Sequence, residues 1–216
     1  MLCQCLKETG PCPVLLKAVT ARLETEGPLA KYATLGFDAM SLSEALRYHE
    51  HLDKIVGYED VGTAGRTNKV ANQGLVAVLR GIQGSWKLPI AYYLIRDNPS
   101  QARFDVIIKE CVVAAEAAGV IVKVLTCDQE KTQWAALCKA GVSPDNPLIP
   151  HPVTSQPIFV IPDPPHSLKN TRNALMKNDI LFAPRQFARW EDFQRLYLFR
   201  KQRNIAIFSQ TDTFAY

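Results

Sequence analysis

Hydrophobic positions recur with a helical period from Ser100 onward. Phe104, Ile107, Ile108, Cys111, Val112 and Ala115 fall at intervals of three and four, which places them on one helix face. Ser100 is a suitable N-cap and Gly119 a suitable C-terminal stop. The β-branched run Val120 to Thr126 follows at once. It reads as a buried strand, parallel to an earlier one because the helix makes a crossover, and it delivers Cys127 and Asp128.

Upstream, the period is shorter. Tyr32 to Phe37 is an apolar run that reads as a buried strand with Asp38 at its end. Ser41 to Glu44 fits a turn or short helix start, and Lys54 to Asp60 a second strand. Gly62 to Gln73, rich in Gly, Thr and Asn, reads as a flexible loop. Leu75 to Arg80 and Leu88 to Ile95 are further strands, joined through the turn-rich Gly81 to Trp86. Before them, Val14 to Glu24 has the spacing of a short amphipathic helix closed by Gly27-Pro28.

Downstream, a helix is expected from about Glu130 to Ala140, closed by Gly141. Residues 142–156 contain four prolines and read as loop. Ile158 to Ile161 is a last strand. Asp163 can cap a helix opened by Pro164 and running to about Lys177, and Phe187 to Arg203 is again helical. Together these elements predict an α/β fold, with an antiparallel meander leading into parallel strands and helices on the faces of a mixed sheet.

The chain's 216 residues allow one domain or one and a half, and 47% hydrophobic with 21% charged residues excludes disorder, collagen-like repeats and coiled coil. A net charge of +4 permits a nucleic-acid partner without demanding one. The longest apolar stretch, Cys111 to Leu125, is broken by Glu116 and Lys123, so no membrane span is expected. Met1 to Cys5 lacks the basic start and apolar core of a signal peptide, and a soluble intracellular protein is expected. Cys111, Cys127 and Cys138 read as small buried hydrophobes, and Cys3, Cys5 and Cys12 lack the spacing of a zinc site.

Asp38 and Asp128 are the leading candidates for chemistry, each directly following an apolar strand. If the two strands are neighbours, their ends lie about 5 Å apart. Two converging carboxylates repel unless a cation joins them, and Mg²⁺ or Mn²⁺ takes such oxygen ligands. Two such ions can activate a hydroxyl and stabilise a leaving oxygen in phosphodiester chemistry. Capping of a turn or helix accounts for either aspartate equally simply. Asp163 also follows a strand, but the Pro-Pro after it makes capping a sufficient explanation. Glu59 and Asp60 are weaker candidates again. His166, Lys169, Arg172 and Asn173 form a polar, mostly basic stripe opposite Leu168 and Leu175. The stripe fits either a nucleic-acid or nucleotide phosphate contact or a solvated helix surface. No P-loop or Gly-rich dinucleotide motif occurs.

Five stretches together resemble the P-element-type transposases, including the THAP-domain transposases of animals. They are Gly36 to Leu42, Ile55 to Gly62, Trp86 to Tyr93, Val124 to Gln129 and Asp163 to Asn173. The last is the most specific, with Asp163, Pro165, His166, Lys169, Asn170, Arg172 and Asn173 in the family's order. The resemblance covers about residues 33–205. It implies an RNase H-like domain whose first two acids are Asp38 and Asp128, holding Mg²⁺ or Mn²⁺ to cleave and join transposon-end DNA. It also implies a nuclear protein, leaves room for a homo-oligomer, and makes His166 to Asn173 the entry to an inserted helical domain that binds GTP in some members.

On this resemblance the chain divides into an N-terminal segment (1–31), an incomplete RNase H-like domain (32–165) and the start of the truncated insertion (166–216). The family's third acid, a downstream Glu, has no match here, and Glu130 and Gln133 stand near where the family has Gly and Asn. A truncated transposase is therefore expected, inactive alone for want of that acid. The alternative is a non-catalytic, domesticated DNA- or protein-binding module.

Overall fold

A computed structural model describes residues 8–50, 53–83, 85–97, 99–127 and 131–203, the side chains of 131 and 132 excepted. The chain divides into two compact units, residues 1–163 and 164–216.

The first unit is built on one mixed sheet. Its strands are β1 (Gly10–Pro11), β2 (Tyr32–Ser41), β5 (Tyr58–Asp60), β6 (Arg66–Val70), β7 (Gln73–Gly81), β8 (Lys87–Ile95), β9 (Ile121–Cys127), β10 (Leu148–Pro150) and β11 (Pro157–Pro162). Their order is β10-β11-β9-β2-β7-β8-β5-β6, with β1 paired to β8. The β2-β7-β8 meander is antiparallel, whereas β9 runs parallel to both β2 and β11. A small hairpin, β3 (Arg47–His49) with β4 (Lys54–Val56), stands between β2 and β5 in the chain.

Alternation in β2 explains its place at the centre. Ala33, Leu35 and Phe37 are buried, while the residues between them are not. The crossover helix α2 (Gln101–Ala117), which follows α1 (Pro13–Thr25), buries the face predicted from its spacing, Phe104 through Ala115. Ser100 caps it, its hydroxyl accepting from the Arg103 N–H. Each large side chain sealed on this face contributes about 1.5–3 kcal/mol. Phe104 meets Phe37 edge-on, with ring centroids 5.4 Å apart. The helix α3 (Lys131–Lys139) packs beside α2 and adds Leu137 to the same core. The N-terminal segment joins this unit too, since Val19 of α1 is fully buried in its core.

Several expectations need correction. β2 does not stop at Phe37 but continues to Ser41, held by its ladder to β7. The run from Lys54 to Asp60 is two strands, not one. Gly57 breaks it at φ +107°, where an added Cβ would run into the Ala45 carbonyl. Ser41 to Glu44 forms no helix, and the expected loop from Gly62 to Gln73 contains a 3₁₀ turn (Gly62–Ala64) and strand β6. The proline-rich stretch carries the short strand β10. Cys138 is exposed, unlike buried Cys12, Cys111 and Cys127; Cys3 and Cys5 lie outside the described residues. Among the described residues no helix is long and apolar enough to cross a membrane.

The second unit contains α4 (Pro164–Leu175), the hairpin β12 (Ile180–Ala183) with β13 (Gln186–Ala188), and α5 (Trp190–Gln202). The hairpin was not expected. Leu175 is buried, but Leu168, placed with it opposite the polar stripe, is 70% exposed.

Candidate active site at the parallel strand ends

Three parallel strands run to one edge of the sheet, where β9 and β11 end and β2 continues past them. In the parallel ladder Phe37 of β2 is paired with Cys127 of β9, and Cys127 is paired in turn with Pro162 of β11. Asp38, Asp128 and Asp163 are the residues that follow these three. Asp128 lies outside the described residues, as does Glu130. Among the described residues the β2–β9 ladder runs as far as the Phe37–Cys127 pair, and β2 itself goes on, with Asp38 opposite Val76 of β7. The β7 side of Asp38 is thus laddered.

The residues beneath this edge are dry. Phe37 is 5% exposed and Cys127 1%. Asp38 is exposed, which is the alternation expected of a strand with one buried face. The structure thus holds the Asp38 backbone on a rigid apolar floor while its carboxylate reaches solvent. Gly36, two residues before it, lies close under Thr126 of β9, where an added Cβ would sit 3.0 Å from the Thr126 hydroxyl oxygen. Small size at Gly36 lets the two strands approach where their ends carry the acids.

Asp163 is half-buried and immediately precedes α4. Its backbone N–H donates to the Cys127 carbonyl at 3.0 Å, which ties the end of β11 to the end of β9. Among the described residues, no three His, Cys, Asp or Glu side chains are grouped so as to hold a metal ion. The donors that the described residues offer at this edge are carboxylate oxygens, the chemistry that suits a hard divalent cation rather than a soft one.

The two weaker acids have structural work instead. Glu59 is 5% exposed, accepts from the Thr67 hydroxyl at 2.8 Å and pairs with Arg103 at 2.9 Å. Burial pushes its carboxyl up. The hydrogen bonds from Thr67, Arg103 and the Arg96 N–H, with the Arg103 charge, outweigh burial and hold it below the usual carboxylate range. Asp60 accepts from the Thr9 hydroxyl. Sequence reading missed the Glu59–Arg103 pair because its members are 44 positions apart.

The stripe of the second unit lies on α4 as predicted. Lys169 and Arg172 are exposed, and His166 and Asn173 half-buried. The Arg172 guanidinium turns onto its neighbour, donating to Asn173 Oδ1 at 3.0 and 3.2 Å.

A central antiparallel meander extended by parallel strands, with acids following the parallel ends, defines an RNase H-like domain. The family model described as TNP-like, RNase H N-terminal domain, matches residues 7–141, well over half the chain, and the chain belongs to that family. The fold is similar to that in the Drosophila P element transposase strand transfer complex, with a TM-score of 0.67 and 21% identity. That match covers 88% of this chain and 39% of the other, so this chain spans well under half its length. No curated protein matches. The resemblance to P-element-type transposases and the RNase H-like mixed sheet are both borne out.

Proposed function

We propose that the chain supplies the RNase H-like part of a P-element-type transposase. On this reading Asp38 and Asp128 hold a divalent cation, Mg²⁺ or Mn²⁺, for cleavage and joining of DNA in the nucleus. The observation that carries it is the register: the residues immediately before the two acids, Phe37 and Cys127, are partners in a parallel ladder. Their carboxylate oxygens fit a hard cation. Such an ion would supply activation of the attacking hydroxyl and stabilisation of the leaving oxygen. Asp38 contributes a solvent-facing carboxylate on a backbone that the β7 ladder keeps from shifting.

Thermal unfolding with added Mn²⁺ tests this. Binding at a hundredfold over the dissociation constant stabilises by about 2.7 kcal/mol. That gain is expected for the native chain and is lost in Asp38→Asn. Indifference of both proteins to Mn²⁺ sinks the metal reading and favours a domesticated binding module. Two acids do not complete a two-metal site, so this chain by itself is expected to nick DNA weakly or not at all. Mg²⁺-dependent nicking that Asp128→Asn abolishes would refute that expectation.

A further inference from the structure

The helix α5 carries an apolar face that the described residues leave uncovered. Phe193, Leu196 and Phe199 are 48, 53 and 48% exposed, and no residue of the helix is buried. Successive residues advance about 100° around a helix, so a spacing of three puts these side chains on one side. Asp192 and Arg200 fall on the same side. The five positions 192, 193, 196, 199 and 200 follow the i, i+1, i+4, i+7, i+8 spacing of a single face. The set is also symmetric about Leu196. Asp192 lies four residues before it and Arg200 four after, and Phe193 lies three before and Phe199 three after. A two-fold axis through Leu196 therefore sets Asp192 of one copy against Arg200 of another, and Phe193 against Phe199. Within one chain the two charges cannot meet, since eight residues of helix separate them by about 12 Å. One Asp192 oxygen caps the helix by accepting from the Arg189 N–H at 3.0 Å, and a carboxylate has a second oxygen for a partner. The Arg203 guanidinium lies 4.3 Å from the Phe199 ring centroid, and the ring is half exposed nonetheless.

We propose that this face is an interface with a second copy of the chain, two α5 helices packing antiparallel about a two-fold axis at Leu196. Charge complementarity selects this occupant. An isologous contact requires a patch that complements itself, and the palindromic order of acid, ring, leucine, ring and base does so. The leucine and phenylalanines of both copies form the dry centre. Two Asp192–Arg200 pairs flank it and fix the direction, because a parallel pair would set like charges side by side. Antiparallel packing also brings opposite ends of the two helix dipoles together. A single helix pair is a small interface, so the dimer is reversible and depends on concentration. The contact uses neither the strand-end acids nor DNA and stands apart from the metal reading.

Sedimentation velocity of the full chain over a concentration series, in EDTA and without DNA, tests this. The native chain should pass from monomer to dimer as concentration rises. Leu196→Glu places two carboxylates on the axis and should weaken the dimer by at least about tenfold. Leu198 is as exposed, at 55%, but sits about 160° round the helix from Leu196, so Leu198→Glu should dimerise as the native chain does. Asp192→Arg alone and Arg200→Asp alone each set like charges opposite one another, and each should stay monomeric where the native chain dimerises. Mixed in equal amounts, these two variants should form a heterodimer, because every facing pair is then opposite in charge. That rescue cannot come from variants that fail to fold, and circular dichroism melts check folding directly. A native chain that stays monomeric overturns the inference, and a segment of a longer polypeptide then becomes the cover to seek. So does equal weakening by Leu196→Glu and Leu198→Glu, a dimer that Leu196→Glu leaves intact, or a charge-reversed mixture that stays monomeric.

Discussion

Replacing Arg103 by Met should destabilise the first unit more than replacing Glu59 by Gln, and the two together should cost less than their sum. Glu59 is almost fully enclosed, whereas the Arg103 side chain is 28% exposed. Removing Arg103 leaves a buried carboxylate with Thr67 and the Arg96 N–H as its remaining donors. Losing one partner of a buried pair costs about 3–5 kcal/mol, and the exposure of Arg103 puts this case near 3. Glu59→Gln keeps the shape and leaves a cation that can reach water, so about 2 kcal/mol is expected. At this chain length 2 kcal/mol corresponds to about 4–8 °C in melting temperature. The double variant should recover at least about 1 kcal/mol, because no orphaned charge remains.

The sign of the pH dependence follows from the depressed carboxyl of Glu59. Its contribution is fully present above the ordinary carboxylate value and is lost as pH falls through the lower folded value. The gap between the native chain and Glu59→Gln should thus hold from pH 7 to about 5 and close on further acidification. Urea denaturation at several pH values measures both effects. Strict additivity, or a gap that widens in acid, would refute the account.

Gly81→Ala should cost about 1–3 kcal/mol by overpacking, since its Cβ would lie 2.4 Å from Trp86 Nε1, and the tryptophan emission should shift as the ring is displaced. Phe37→Ala removes a buried ring and its contact with Phe104, costing about 3–5 kcal/mol in chemical denaturation. Site-resolved thiol labelling at pH 8 should modify exposed Cys138 rapidly and spare Cys111, whose thiol burial pushes up to about 12. Rapid labelling of Cys111 in the folded chain would contradict its enclosure.

Elements with a strong period were legible, and those without one were not. The α2 face and β9 could be read because burial on one or both sides writes an apolar pattern into the sequence. β3 and β4 have three residues each, mostly exposed, and their pairing leaves no such trace. β6 reads Arg-Thr-Asn-Lys-Val because it is an edge strand, where polar side chains are tolerated and protect against pairing with other chains. The extension of β2 past Asp38 was hidden for the same reason: Ala39, Met40 and Ser41 are laddered to β7 but exposed. Asp38 could be picked out as a strand-linked acid, but its pairing with Val76 of β7 could not, since that depends on how far β2 continues.

The parallel pair β2 and β9 is also where the sheet reverses its direction of growth. From β2 the chain proceeds toward β7 and β8 on one side, and from β9 it proceeds through α3 toward β11 on the other. Diverging connections open a crevice outside the carboxyl ends of the strands, the usual place for a ligand in an open α/β sheet. The connection on the β2 side can lengthen without disturbing the ladder between the strands, because the pairs of that ladder among the described residues all lie before it. The β3–β4 hairpin lies in that connection, outside the ladder that pairs Phe37 with Cys127. Rebuilding that connection would therefore change what the edge can grasp while the spacing of the strands beneath it is kept.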